Sequence, residues 1–320
     1  VTVLCKDNIT NTLITEKMSE HPHIELIEPK EFGFERPLNP DEAATLIDII
    51  DSSHGGFSTI ICRGLDLSLE IRNISSLWKR VFFYISDYYE ISENYTRDLK
   101  PKFERNILDL DSFGAGFLCQ TEYIADEFEG KFGINRDRLI VLPPIVFPEK
   151  GRLGKIEPQL VEGKVRIVYA GKYAPLWGIR ELIATCEELI AQGLPIELDL
   201  VGGKFNRGKG GDRDFITEIK EKIVENEWIK WHGPKSRDET AEIIARSNVA
   251  WCYRPPELED NTLELSTKLL EYYSNHVPFI AYSNMVNKDL LGEKSIFLVE
   301  SHNQCAERIK ELLGYTGRAS

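Results

Sequence analysis

Along the chain, short runs of β-branched and aromatic residues alternate with longer segments whose apolar positions recur at helical spacing. Strand followed by helix, repeated many times, is the pattern of parallel sheets covered on both faces, so the pattern predicts the α/β class. In the first half the predicted strands are residues 1–5, 57–62, 81–86, 116–120 and 139–142, with helices over 40–51 and 121–132. Pro143, Pro144 and Pro148, followed by a polar stretch with Gly151, Gly154, Pro158 and Gly163, then break the alternation and read as an interdomain linker. The boundary falls near Phe147, which divides the chain into domains 1–147 and 148–320.

A second series follows the linker. Its predicted strands are 165–170, 196–201, 228–231, 249–253, 279–281 and 296–299, with helices over 179–192, 215–225, 237–246, 267–273 and 303–313. This describes a second doubly wound sheet.

Composition narrows the partners more than the fold. The 320 residues are 42% hydrophobic and 28% charged, which excludes a disordered or coiled-coil chain. The formal net charge of −13 repels phosphate backbones, so nucleic acid is not an expected partner. Six dispersed cysteines with no C-x-x-C pair suggest neither disulfides nor a zinc site, and point to reduced thiols and a cytoplasmic setting. No apolar run approaches the roughly 20 residues that cross a bilayer. The basic residues Arg97, Lys100, Lys102 and Arg105 read either as a solvated face or as a patch that touches an anionic membrane surface peripherally.

Three segments carry candidate chemistry. The run from Gly203 to Gly210 follows a strand and precedes a helix, yet it differs from a phosphate-binding P-loop because Gly210 stands where a metal-binding hydroxyl belongs. Gly171 and Lys172 follow the strand 165–170, at the carboxyl edge where open α/β sheets bind ligands, so Lys172 reads as a diphosphate contact or as a solvated turn lysine. In the third, Glu264, Ser266, Thr267, Lys268 and Glu271 surround the start of a helix. Ser266 or Thr267 can cap it, its free amides suit a phosphate, and Glu271 suits a vicinal diol such as a ribose.

The stretch 266–281, with Lys268, Leu269, Glu271, Tyr272, Pro278 and Ile280 in order, resembles the P-x-K-L-x-E-Y-x-x-x-G-x-P-V-I signature of family-four GT-B glycosyltransferases. Segments 121–146, 165–183, 198–203 and 231–234 resemble further motifs of that family in the same order. The resemblance implies two Rossmann-like domains facing a cleft, and a retaining, hexosyltransferase-type transfer from a nucleotide-diphosphate sugar to a glycan, glycolipid or protein hydroxyl. It implies no cofactor and no metal. By position, Glu271 would hold the donor ribose, and Lys172 would take the place of an arginine that neutralises the diphosphate. Gly171 would let the donor approach the backbone, Gly233 and Pro234 would border the nucleobase, and Ser266, Thr267 and Lys268 would line the phosphates.

The departures also matter. Trp177 occupies the place of a second phosphate-binding lysine, and Glu264 is seven positions from Glu271 where the family spaces its paired glutamates eight apart. Asp87 falls where the family often has a His-Asp pair and is the candidate acceptor base, with Ser86 in place of the histidine. Residues 1–5 resemble the second strand of an acceptor domain, so the N-terminal domain is expected to lack its first strand and helix. Two rivals keep the same architecture: a sugar-nucleotide epimerase, and a non-catalytic scaffold or partner subunit.

Overall fold

A computed structural model of the chain describes residues 1–9, 15–84, 100–144, 163–206 and 214–314. Asp87, Ser86, Arg97 and the expected boundary at Phe147 lie outside them. The chain divides into two compact units, one ending at Pro143 and the other holding Pro144 to the C-terminus.

In the N-terminal unit the strands form two parallel sheets. Strands β1 (Thr2–Leu4) and β2 (Glu25–Ile27) pair with one another, and β3 (Ile60–Arg63), β4 (Val81–Tyr84), β5 (Gly116–Cys119) and β6 (Leu139–Val141) form a four-stranded sheet in chain order. Helix α1 (Pro40–Ser53) begins with reciprocal capping by Asn39 and Glu42 and a proline in its first turn. It lays Leu46 and Ile50 against Ile27 and Leu38. At its far end buried Asp51 accepts from both terminal nitrogens of Arg80 and from the Phe57 amide, and the guanidinium holds its carboxyl below the usual range. That pair ties α1 to the residue that enters β4.

Helices α2 (Leu65–Glu70) and α3 (Lys100–Phe113) and strand β2 were not legible in the pattern; α4 (Glu122–Phe132) was. Thr121 caps α4 by accepting from the Ile124 amide.

The C-terminal unit is one six-stranded parallel sheet in the order β12-β11-β10-β7-β8-β9. Its strands are β7 (Val165–Ala170), β8 (Ile196–Val201), β9 (Ile229–Gly233), β10 (Val249–Trp251), β11 (Phe279–Tyr282) and β12 (Leu298–Val299). Alternate residues of β7 serve two cores, as a sheet buried on both faces requires. Val165, Ile167 and Tyr169 pack with helices α5 (Ile179–Ala191) and α6 (Asp214–Glu225) on one face. Val168 and Ala170 pack with α7 (Arg237–Ala245) and α8 (Thr267–Ser274) on the other. The last helix, α9 (Cys305–Leu312), returns to the first face through Cys305 and Ile309.

Among the described residues, no helix is long and apolar enough to cross a membrane.

Candidate functional site

The strand order of the C-terminal unit sets where a ligand would sit. From β7 the chain first winds outwards through β8 and β9, then returns to place β10 on the other side of β7. Connections leaving β7 and β10 therefore diverge to opposite faces and open a crevice at the carboxyl ends of these two strands. Gly171 and Lys172 leave β7 at this point, and Cys252, Tyr253 and Arg254 leave β10. Helix α8, which leads into β11, brings Lys268 and Glu271 to the same edge.

Two glycines hold these loops together. A β-carbon on Gly202, whose φ is +133°, would lie 2.0 Å from the Gly171 carbonyl oxygen. At Gly178, where α5 begins with φ +76°, it would lie 2.0 Å from the Tyr253 carbonyl oxygen. Both spacings are far below contact distance, so only glycine fits. Trp251 Nε1 also donates to the Gly178 carbonyl at 2.9 Å, fixing the end of β10 against the start of α5.

Within this frame three cations surround one indole. Lys172 Nζ lies 4.2 Å from the centre of the Trp177 ring and Lys268 Nζ lies 4.3 Å from it, while the Arg254 guanidinium carbon lies at 5.7 Å. The ring's negative face makes this gathering tolerable. Lys268 is half-buried, with its stem along Gly171 and its ammonium over the Tyr169 and Trp177 rings. Desolvation, reinforced by the charges of Arg254 and Lys172, pulls its pKa down to about 8. Glu271 faces the opposite pressure. Burial raises its pKa, and the positive charges of Arg237 and Lys268 oppose the rise.

Arg254 and Glu259 are both buried, at 6% and 3% exposure, and form an ion pair through Arg254 Nε. The other carboxylate oxygen of Glu259 accepts from Asn284 Nδ2.

The structure brings Gly171, Lys172 and Lys268 together, with Glu271 one helical turn from Lys268. The space beside Gly171 is taken by the stem of Lys268, whose Cε would lie 3.0 Å from a β-carbon there. Ser266 occupies the N-cap position of α8, yet its side chain makes no capping bond and instead accepts from the Cys252 thiol at 3.4 Å. Thr267 is exposed on the first turn. Gly233 ends β9 and its carbonyl accepts from the Gly202 amide at 2.9 Å, which links the β9, β8 and β7 ends into one rim; Pro234 packs next to Gly203.

Residues 203–206 belong to this rim as structure. Tyr173 donates its amide to the Lys204 carbonyl, and its ring stacks on Phe205 with centres 4.6 Å apart.

Two residues at the site were not singled out from sequence. Arg254 and Arg237 looked like ordinary charges, and neither lies in a recurring motif. Trp231, which opens the motif-like segment 231–234, lies within β9 and is 46% exposed, with Nε1 donating to the Gly202 carbonyl, which leaves ring surface open for stacking. Its signal was its place two residues before Gly233.

No protein-family profile matches the sequence, and no curated protein matches it. Solved structures do. HepE from Anabaena, in complex with UDP and glucose, superposes with a TM-score of 0.67 at 15% identity, over 98% of this chain and 82% of that one. Sucrose-phosphate synthase from Thermosynechococcus elongatus gives 0.67 at 13% identity, over 92% and 75%. A glycosyltransferase from Rickettsia africae gives 0.62 at 13% identity, over 99% and 80%. The chain thus has the two-unit, Rossmann-like fold of GT-B glycosyltransferases, the architecture that its motifs resemble.

Proposed function

We propose that this chain is a glycosyltransferase that moves a sugar from a nucleoside-diphosphate donor to an acceptor hydroxyl, with its C-terminal unit holding the donor. The observation that carries this reading is the convergence of Lys172 and Lys268 on Trp177, with Glu271 one helical turn from Lys268, at the strand-order reversal of the sheet. HepE has been solved with UDP-glucose, which supports the donor class.

In the reaction the bond between the anomeric carbon and the diphosphate oxygen breaks with its electrons going to the leaving group. The acceptor oxygen bonds to that carbon and gives up its proton. Negative charge grows on the diphosphate, and preorganised cations in an enclosed site stabilise it as it forms. Lys172 and Lys268 have that task, while Glu271 accepts from ribose hydroxyls and sets the register of the donor. Asp87 is the candidate to take the acceptor's proton. Because side chains neutralise the diphosphate, turnover in the presence of EDTA equals turnover with added divalent metal.

The test is a panel of nucleotide sugars. Each is scored for thermal stabilisation of the chain, then for products with donor alone and with glycan, glycolipid and protein acceptors. Transfer or slow donor hydrolysis supports the proposal. An isomerised nucleotide sugar from donor alone replaces transfer by epimerisation, and no stabilisation by any nucleotide makes the chain a scaffold.

A further inference from the structure

We infer that Arg254 is a third cation of the diphosphate subsite, held against the Trp177 indole by Glu259 and Asn284. The inference rests on the donor reading above and adds to it a residue that no motif marked.

Four observations lead to it. Arg254 leaves β10 while Lys172 leaves β7, so the two stand on either side of the crevice where the sheet reverses its order. Their charged groups nevertheless meet, since Arg254, Lys172 and Lys268 all approach the same ring. Arg254 is also oriented rather than loose. Its Nε donates to Glu259, and the second oxygen of that carboxylate is occupied by Asn284, so the acid has a fixed place and the guanidinium is built onto it. Lastly, Gly178 and Trp251 lock the segment that carries Arg254 to the helix that follows Trp177.

Burying an arginine with its carboxylate gives little stability compared with an apolar pair of the same volume, because desolvating the two charges offsets most of their attraction. Drawing that arginine towards two lysines adds repulsion. Such an arrangement is understandable where a multiply charged anion arrives to offset it. Guanidinium suits the position because it stays charged when buried and can contact phosphate through two parallel hydrogen bonds. The indole at position 177 then has a defined job. It spaces the three cations and covers them with an apolar, electron-rich face, where a flexible lysine would have added one more mobile charge.

The experiment uses the intact chain and calorimetric titration with UDP, UMP and uridine, the wild type being titrated with GDP and ADP as well. Arg254→Gln leaves Glu259 buried without its cation and risks unfolding, so Arg254→Gln/Glu259→Gln, which removes both charges together, is measured beside it, as is Arg254→Lys. The expected result is that the double variant retains a cooperative unfolding transition and binds uridine as the wild type does. Its affinity for UDP falls roughly 10–100-fold, the range for losing a hydrogen bond to a charged group, and UMP lies between the two. Arg254→Lys recovers part of the UDP affinity.

Equal UDP affinity in the wild type and the folded double variant overturns the role of Arg254 while leaving the donor reading intact. A parallel loss for uridine and UDP overturns it too, because the residue would then be a structural support only. A wild-type chain that binds none of UDP, GDP or ADP overturns the donor reading itself.

Discussion

Lys268 lies along Gly171 so closely that a β-carbon on the glycine would meet Lys268 Cε at 3.0 Å and the Tyr169 hydroxyl at 3.4 Å. One residue belongs to the loop after β7 and the other to the first turn of α8, so this contact sets how far the lysine's ammonium reaches across the crevice. Gly171 has φ +157°, which alanine adopts only under strain, so Gly171→Ala should cost stability as well as push the flexible stem aside. The expected outcome is a UDP affinity lowered about tenfold, equivalent to about 1.4 kcal/mol. The melting temperature should fall as well. Titration and thermal unfolding of the same preparation check both parts. A large drop in melting temperature with unchanged affinity would show that the methyl group strains the backbone and leaves Lys268 in place.

The low pKa of Lys268 gives the site a pH dependence with a definite sign. Its ammonium faces Lys172 from the β7 loop, Cys252 and Arg254 from the β10 end, and Glu271 from its own helix. In the folded chain it loses its proton at about 8, against an ordinary value of 10.5. Between those values the unfolded chain binds more protons, so this residue opposes folding fully below about pH 8, and the penalty fades as pH rises towards 10.5. A bound diphosphate favours the charged amine. Nucleotide binding should therefore take up a proton above about pH 8 and weaken as pH rises further. Calorimetry in buffers of different ionisation enthalpy counts that proton. Lys268→Gln should bind more weakly at about pH 7, with the proton uptake gone. Uptake that persists in Lys268→Gln assigns the titration to another group.

Much of the C-terminal unit was legible because its six strands are short apolar runs separated by amphipathic helices, and because Gly171, Lys172, Lys268 and Glu271 sit at fixed places in recognisable segments. Periodicity located β7 and β8 to the residue. It missed β2 and α2, whose three and six residues are too short to show a period. It also passed over α3, although Phe103, Ile107, Leu110 and Phe113 recur there at helical spacing.

The site was less legible than the fold. Arg254 follows a strand as many arginines do, and its importance comes from Glu259, five positions on, which pairs with it, and Asn284, thirty positions on, which holds Glu259, an arrangement that exists only in the folded chain. Capping shows the converse. The sequence offered Ser266 as a helix cap, but the nearby Cys252 thiol takes its hydroxyl as an acceptor.

Gly202 gives a stability prediction that is independent of any ligand. Its backbone has φ +133°, and a methyl group there would fall 2.0 Å from the Gly171 carbonyl, which has no freedom because the Gly171 amide donates to Val201 at 2.9 Å. Backbone meets backbone, so no side chain can relieve the clash. Gly202→Ala should cost about 3 kcal/mol or more, towards the upper end for a single substitution. Urea unfolding measures the cost. A variant within about 0.5 kcal/mol of the wild type would mean that the loops after β7 and β8 can separate without penalty.

Glu271 separates the ribose from the diphosphate. Burial raises the pKa of its carboxyl and strips much of its water, while the positive charges of Arg237 and Lys268 oppose the rise. An acceptor in that condition gains from two adjacent hydroxyls and leaves a desolvated pair behind when one partner is removed. Glu271→Gln should weaken UDP binding about tenfold, and 2′,3′-dideoxy-UDP should bind the wild type about as poorly as UDP binds the variant. Combining the two changes is the decisive measurement. If the carboxylate holds the diol, the variant loses little more on going from UDP to the dideoxy nucleotide, because the interaction is already gone, and the two penalties fall well short of adding. If they add in full, Glu271 acts elsewhere, most simply by holding Arg237 and Lys268 in position, and the diol is held by other groups.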